Sequence, residues 1–174
     1  MGDKTQLLAL LLAAHFKRPW PIMAGILVST LANHAVAGWL GAGIAAWLGP
    51  QWLRWVIGGS FLAMAAWMLV PDKAGDAPAG HARFGVFGTT VVAFFLAEMG
   101  DKTQIATVAL AARYDSLLSV VAGTTLGMMI ANVPAVLLGD RVAKAVPMRL
   151  VHAIAALIFA VLGVLTLLDA GRWL

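Results

Sequence analysis

The chain has 174 residues, of which 61% are hydrophobic and 11% are charged, and its formal net charge is +4. Soluble domains carry about a quarter charged residues, so the composition excludes an ordinary soluble domain and predicts an all-α integral membrane protein. The basic residues stand singly between apolar runs, which argues against nucleic-acid binding, and the absence of cysteine excludes disulfides and thiolate metal sites.

The apolar runs predict helices, in chain order. The first, Thr5–Phe16, is helical in composition but too short to cross a bilayer alone, because a span needs roughly 20 apolar residues. The later runs are long enough to span: Pro19–Leu53 with a turn near Leu48–Trp52, Trp55–Pro71, Phe84–Ala112, Ser116–Gly139 and Leu150–Leu168. Charge interrupts one of them, Phe84–Ala112.

Residues 71–84 form the linker between the two halves of the chain, and they begin with the only stretch rich in Pro, Gly and charge. If the segments alternate across the membrane, the linker's face receives seven basic residues: Lys17, Arg18, Lys73, Arg83, Arg141, Lys144 and Arg149. The opposite face receives three: Arg54, Arg113 and Arg172. The positive-inside bias therefore predicts a multi-pass membrane protein with linker 71–84 in the cytoplasm and the C-terminus outside.

The chain contains an internal repeat. At an offset of 98 residues, "MGDKTQLLALLLAAHF" at the start aligns with "MGDKTQIATVALAARY" at 99–114. Further along, Gly25 and Gly41 align with Gly123 and Gly139. Each half, 1–70 and 85–174, holds three spans, and an odd number forces the halves into opposite orientations. We expect a six-helix bundle made of two inverted three-helix repeats, as in many secondary transporters.

The first repeat lacks the beginning of its first helix. Met1 aligns with Met99, so no residue corresponds to Phe84–Glu98. The simplest interpretation is that the chain starts at an internal methionine, which would leave helix 1 truncated and Glu98 without a counterpart. The alternative is a first helix that is genuinely short.

The charged motif lies inside an apolar run. Glu98 is the only glutamate of the chain, and a charged group at the bilayer centre costs about 2.5–3.5 kcal/mol, so such groups face a cavity or a partner. Glu98, Asp101 and Gln104 recur every three residues and would form one stripe on a helix. Gly100 weakens the helix there, and transporters place ion sites at such broken helices.

The donors of both motif copies are oxygens, which suit Ca²⁺ or Mn²⁺ better than Cu⁺ or Zn²⁺. The predicted metal ligands are Glu98, Asp101, Thr103, Gln104, Asp3, Thr5 and Gln6. The predicted supporting residues are Lys4, Lys102, Gly2, Gly100, Asn33 and Asn132. The lysines would keep the carboxylates ionised or replace the cation, and the carboxylates would exchange a metal ion for protons.

Several readings without transport chemistry remain open. The Asp–Lys neighbours of the two motifs would, as ion pairs, only hold the bundle together. Asn33 and its counterpart Asn132 either reach the cavity or bond between helices, and Thr30 is interpreted as a packing residue. His34 has Val133 as its counterpart, which argues against a ligand role. A phosphate loop is set aside because its glycine-rich lead-in and strand are missing.

The doubled motif resembles the GDT-one family of Ca²⁺/Mn²⁺:H⁺ antiporters, whose mark is two copies of E-x-G-D-[KR]-[ST]. Glu98–Thr103 matches in full, and Gly2–Thr5 matches except for the glutamate. The resemblance implies that Glu98, Asp101 and Thr103, with Asp3 and Thr5, bind the transported cation.

The resemblance further implies a secondary active exporter of Mn²⁺ or Ca²⁺ in a bacterial inner membrane. Such a protein takes H⁺ as counter-ion, is not an enzyme and holds no resident cofactor. Its partners would be the divalent cation and the bilayer, with no nucleic acid, and a homo-oligomer is compatible with the sequence. The rival functions are an exporter of another small solute and a non-transporting membrane scaffold.

Overall fold

The computed structural model describes residues 4–70, 84–138 and 148–168, which are helical with short connections and contain no strand. The helices are α1 Lys4–Phe16, α2 Pro19–Met68, α3 Gly85–Glu98, α4 Lys102–Arg113, α5 Leu117–Leu138 and α6 Met148–Leu167. The predicted all-α class is thereby confirmed. Residues 71–83 of the predicted linker, together with Gly2 and Asp3, lie outside the described residues.

Within the described ranges, three helical segments are long and apolar enough to cross a membrane: Pro19–Leu48, Leu117–Leu138 and Leu150–Leu167. Large apolar side chains point outward from them. Ile130 is 74% exposed and Leu157 is 65% exposed. The residues on either side of each of them in the chain are also apolar. This outward apolar surface suits hydrocarbon rather than water, so the structure agrees with a membrane protein.

The helical backbone of α2 extends over 50 residues and would measure about 75 Å if it were straight. The contacts exclude a straight helix. Asn33 accepts a hydrogen bond from Gln104, whereas Val70, just past the end of α2, accepts one from Lys102. Because residues 102 and 104 lie on the same turn of α4, Asn33 and the end of α2 must lie close together, although 35 residues of helix separate Asn33 from Met68.

The reversal of α2 lies near the turn that the sequence predicts. Ala45 and Leu53 both pack against one apolar cluster, which includes Ile57 and Ala109. We therefore divide α2 into arm A, residues 19–48, and arm B, residues 52–68. The two arms run in opposite directions beside α4.

The directions of the helices follow from their contacts. Gly25 of arm A packs on Thr90 of α3, and Asn33, two turns later, contacts Glu98 at the end of α3. Arm A and α3 are therefore parallel. Arm B and α6 are antiparallel, because residues 58 and 62 of arm B contact residues 167 and 163 of α6, respectively.

The main apolar core lies between arm A, α1, α3 and α5. Its buried members are Leu8, Ala9, Leu12, Ile22, Ile26, Ala93, Phe94, Ala135 and Val136. Beyond this core, arm A reaches α4 through glycine: a Cβ atom on Gly41 would collide with the carbonyl oxygen of Val108. The close approach places the later part of arm A against the middle of α4.

Candidate cation site

The span predicted over Phe84–Ala112 is broken at the motif. Helix α3 ends at Glu98 and α4 begins at Lys102. Between them, Gly100 has φ +76°, a left-handed conformation that glycine adopts without steric cost. The prediction of one continuous helical stripe is wrong, because the left-handed residue interrupts the helical phase between Glu98 and Asp101.

Glu98 is fully buried and is held by arm A. The hydroxyl of Thr30 donates to Oε1 at 2.8 Å, and Nδ2 of Asn33 donates to Oε2 at 3.3 Å. Both carboxylate oxygens thus receive a hydrogen bond inside the bundle. The sequence interpretation of Thr30 as a packing residue is wrong; its spacing of three from Asn33, which puts both on one helix face, was the available signal.

Asn33 connects Glu98 to the next turn of the motif. Its Oδ1 accepts a hydrogen bond from Nε2 of Gln104 at 3.1 Å, and its Nδ2 also reaches the carbonyl oxygen of Phe95 at 3.1 Å. Oε1 of Gln104 in turn accepts from the backbone N–H of Gly100 at 2.7 Å. Asn33 therefore reaches the motif, and Gln104 braces the helix break.

Asp101 is the N-cap residue of α4, but its side chain makes no capping hydrogen bond. The residue is 8% exposed, and its Oδ2 accepts a hydrogen bond from the hydroxyl of Thr103 at 3.3 Å. Lys102 is also buried; its Nζ donates to the carbonyl oxygen of Val70 at 2.7 Å and lies 5.7 Å from the ring centroid of Trp67. Lys102 thereby ties the motif to the end of arm B.

The first motif copy is described only from Lys4 onward, where Lys4 is exposed and Thr5 is buried. Nε2 of Gln6 donates to the carbonyl oxygen of Ala131 on α5 at 3.1 Å. The next residue, Asn132, is buried and donates to Met128 of its own helix at 3.0 Å. The predicted ligands Asp3 and Gly2 lie outside the described residues, and no hydrogen bond joins Asn132 to Glu98.

The described part of the chain holds no group of three or more His, Asp or Glu side chains that would bind a metal. What it brings together is the Glu98 carboxylate with the hydroxyl of Thr30 and the amide nitrogen of Asn33, next to a break where Asp101 and Thr103 begin the following helix. The negative end of the α3 dipole, at Glu98, also favours a cation. Oxygen donors of this kind suit a hard divalent cation, and a carboxylate also accepts a proton.

Comparisons with known proteins agree with this chemistry. The family described as "Divalent cation/proton antiporter GDT1" matches residues 1–76 and 86–173. The chain is 50% identical over 167 residues to a "Putative manganese exporter" of Vibrio cholerae serotype O1, covering 95% of this chain and 83% of that protein. It is 29% identical over 187 residues to a GDT1-like protein of Synechocystis sp., covering 95% of this chain and 89% of that protein.

No solved structure matches the chain significantly. The family match covers nearly the whole chain, and the chain belongs to the GDT1 family of divalent cation/proton antiporters.

Proposed function

We propose that this protein exports Mn²⁺ across a bacterial inner membrane in exchange for H⁺, and that Glu98 and Asp101 carry the exchange. The observation that carries the proposal is the fully buried Glu98 carboxylate, held by Thr30 and Asn33 where a span breaks. The name of the Vibrio relative supports Mn²⁺ as the cargo. Ca²⁺ is the other cation that the oxygen donors fit.

The exchange needs a carboxylate that exists in two states. In one state Glu98 holds the cation, with the hydroxyl oxygen of Thr30 beside the same ion, while Asn33 holds Gln104 through its amide oxygen. In the other state Glu98 carries a proton, and the hydrogen bonds from arm A keep its side chain in place. Because ion and protons compete for the same oxygens, movement of one in one direction drives the other in the opposite direction.

We further propose that the halves are inverted repeats. Helices α1 and α4 begin 98 residues apart, as do arm A and α5. The two motif glutamines contact corresponding regions, since Gln104 bonds Asn33 and Gln6 bonds Ala131, the residue before Asn132, the counterpart of Asn33.

Phe61 and Phe159, also 98 residues apart, contact each other with ring centroids 5.9 Å apart. A residue meets its own counterpart only beside a two-fold axis. Since arm B and α6 are antiparallel, the axis would lie across them, in the plane of the membrane, as inverted repeats require.

The test is metal transport by the purified protein in liposomes with an imposed pH gradient, comparing Mn²⁺ with Ca²⁺. We expect Glu98→Gln, which keeps the size of the side chain but removes its charge, to abolish exchange. Asp115→Asn at an exposed position serves as the matched control and should transport normally. Exchange that persists in Glu98→Gln, or uptake that ignores the pH gradient, would contradict the proposal.

A further inference from the structure

Among the described residues, five buried polar side chains have atoms with no hydrogen-bond partner: Ser29, His34, Thr89, Thr125 and Asn132. Three of them lie where arm A packs on α5. His34 of arm A is 1% exposed, and neither of its ring nitrogens is bonded. On α5, Thr125 is 5% exposed and Asn132 is 0% exposed, and Oγ1 of the former and Oδ1 of the latter are likewise unbonded. None of these atoms has a role in the exchange described above.

The packing of arm A on α5 places His34 opposite Thr125. Gly38 of arm A contacts Val121 of α5, and residues nearer the start of arm A, such as Ile26, pack in the core with the later residues 135 and 136 of α5. The two helices are therefore antiparallel. His34 lies one turn before Gly38 and Thr125 one turn after Val121, so both lie on the contacting faces and at the same level.

This interface continues in two directions. Along α5, Asn132 lies two turns beyond Thr125, about 10 Å further on, and on the same face. Along arm A, Thr30 lies one turn before His34 and bonds Glu98. The unbonded atoms of His34, Thr125 and Asn132 therefore lie along one path between arm A and α5, which we call the track. The track passes within one helical turn of Thr30, which bonds Glu98.

Unbonded polar atoms are costly in this setting. A buried polar group without a partner costs roughly 1–3 kcal/mol by mutational data, and no bulk water relieves it inside a bilayer. Native proteins satisfy such groups with protein, water or an ion. The described residues supply no protein partner for these atoms. A hydroxyl oxygen, an amide oxygen and an imidazole nitrogen all carry lone pairs, so a cation is a ligand that could bind them.

We propose that His34 and Thr125 form a second, transient cation station on the path to and from Glu98, and that His34 selects Mn²⁺ over Ca²⁺ there. Ca²⁺ binds oxygen ligands almost exclusively, whereas imidazole nitrogen is a ligand of first-row transition metals. The two donors are neutral, so water completes the coordination and the ion is held weakly enough to move on. The inference rests on the proposed function.

The absence of a histidine at Val133 does not oppose this station. A ligand of the symmetric exchange site would be expected in both halves, and on that ground the sequence argues against His34. A station that an ion visits on one side of the exchange site needs no counterpart.

The first test measures selectivity through competition. We expect His34→Gln to lower about tenfold the Ca²⁺ concentration that halves Mn²⁺ uptake into proteoliposomes, as loss of a tuning ligand does, and Thr125→Val to act in the same direction. The controls are Thr124→Val, whose hydroxyl already bonds Val120 of its own helix, and the exposed His15→Gln. Unchanged inhibition by Ca²⁺ in His34→Gln would overturn the proposal.

The second test detects the station without transport. Mn²⁺ alone is added to the full chain carrying Glu98→Gln in lipid nanodiscs, and pulsed electron paramagnetic resonance measures coupling to nitrogen. We expect coupling from a directly bound imidazole, which disappears when His34→Gln is added. A Mn²⁺ spectrum without nitrogen coupling would mean that only water fills the track and would overturn the station. Exchange surviving in Glu98→Gln would instead overturn the proposed function, so the two failures are distinguishable.

Discussion

Glu98 shows how one residue makes a charged site tolerable inside a bilayer. A carboxylate at the bilayer centre costs about 2.5–3.5 kcal/mol, whereas a hydrogen bond to a charged group contributes about 1.5–3 kcal/mol. The two bonds from Thr30 and Asn33 are therefore of the right size to offset the cost when no cation is bound. The same two bonds keep the carboxylate in place at the break between α3 and α4.

The hydrogen bond from Thr30 to Glu98 leads to a prediction. Thr30→Val keeps the shape of the side chain and removes a 2.8 Å bond to the carboxylate, so we expect the KM for Mn²⁺ to rise about tenfold, given the 1.5–3 kcal/mol typical of such bonds. The control is Thr166→Val, whose hydroxyl bonds Leu162 of its own helix. Transport kinetics in proteoliposomes measure both, and an unchanged KM in Thr30→Val would show that Thr30 does not support the site.

The sequence could predict some of these residues and not others, for a physical reason. Glu98 stands out in the sequence because a carboxylate within an apolar run is costly in a membrane, and such a group usually serves a function. Thr30 does not stand out, because a threonine in an apolar helix commonly bonds the carbonyl oxygen one turn back, as Thr124 and Thr166 do here. Only the packing of arm A on α3 separates the two uses.

At the scale of helices, the broken span and the reversing helix were predictable to different degrees. Gly100 marks a weak point in the sequence, but its left-handed conformation depends on how α3 and α4 pack against arm A. The reversal of α2 follows from length alone, because about 75 Å of straight helix cannot fit a hydrocarbon core of about 30 Å. The backbone of α2 is helical throughout, so the reversal is evident only from the contacts of its two arms with α4.

Close packing of arm A on α4 gives a prediction with a matched pair of glycines. A Cβ atom at Gly41 would collide with the carbonyl oxygen of Val108, whereas one at Gly43 meets nothing within 4 Å. We expect Gly41→Ala to destabilise the protein by about 1–3 kcal/mol, the usual cost of overpacking. Gly43→Ala should be neutral or stabilising by up to about 1 kcal/mol, because alanine favours helices.

Unfolding of the two variants in the same detergent measures this difference directly. The expected order of midpoints is Gly41→Ala lowest, then the parent chain, with Gly43→Ala equal to or above the parent. Equal midpoints for the two alanine variants would mean that arm A does not approach α4 as closely as the structure describes. Transport by Gly41→Ala should fall together with its stability.

At the scale of the whole molecule, the repeat links function to topology. If the halves are inverted, as we propose, equivalent helices face opposite sides of the membrane, and rocking of one half against the other would open the site to each side in turn. The contact between Phe61 and Phe159 lies where the proposed axis would pass. The sequence could predict the repeat because its motif is duplicated, but it could not predict which residues meet at the axis.

Inverted topology makes a sharp prediction about two exposed residues. Lys17 connects α1 to α2, and Asp115, 98 residues later, connects α4 to α5; both are exposed. Because the chain has no cysteine, Lys17→Cys and Asp115→Cys each create a single thiol. We expect a membrane-impermeant maleimide to label the first only in inside-out vesicles and the second only in intact cells, since the positive-inside bias places Lys17 in the cytoplasm.

The neighbours of these two residues serve as controls within each connection. Arg18→Cys should label with Lys17→Cys, and Tyr114→Cys with Asp115→Cys, because each pair is adjacent in the chain and exposed. Halves related by an axis along the membrane normal would instead place residues 17 and 115 on one side. Labelling of both thiols from the same side would therefore exclude the inverted repeat. If residue 17 is labelled from outside and residue 115 from the cytoplasm, the repeat is still inverted, and only the predicted orientation of the bundle is wrong.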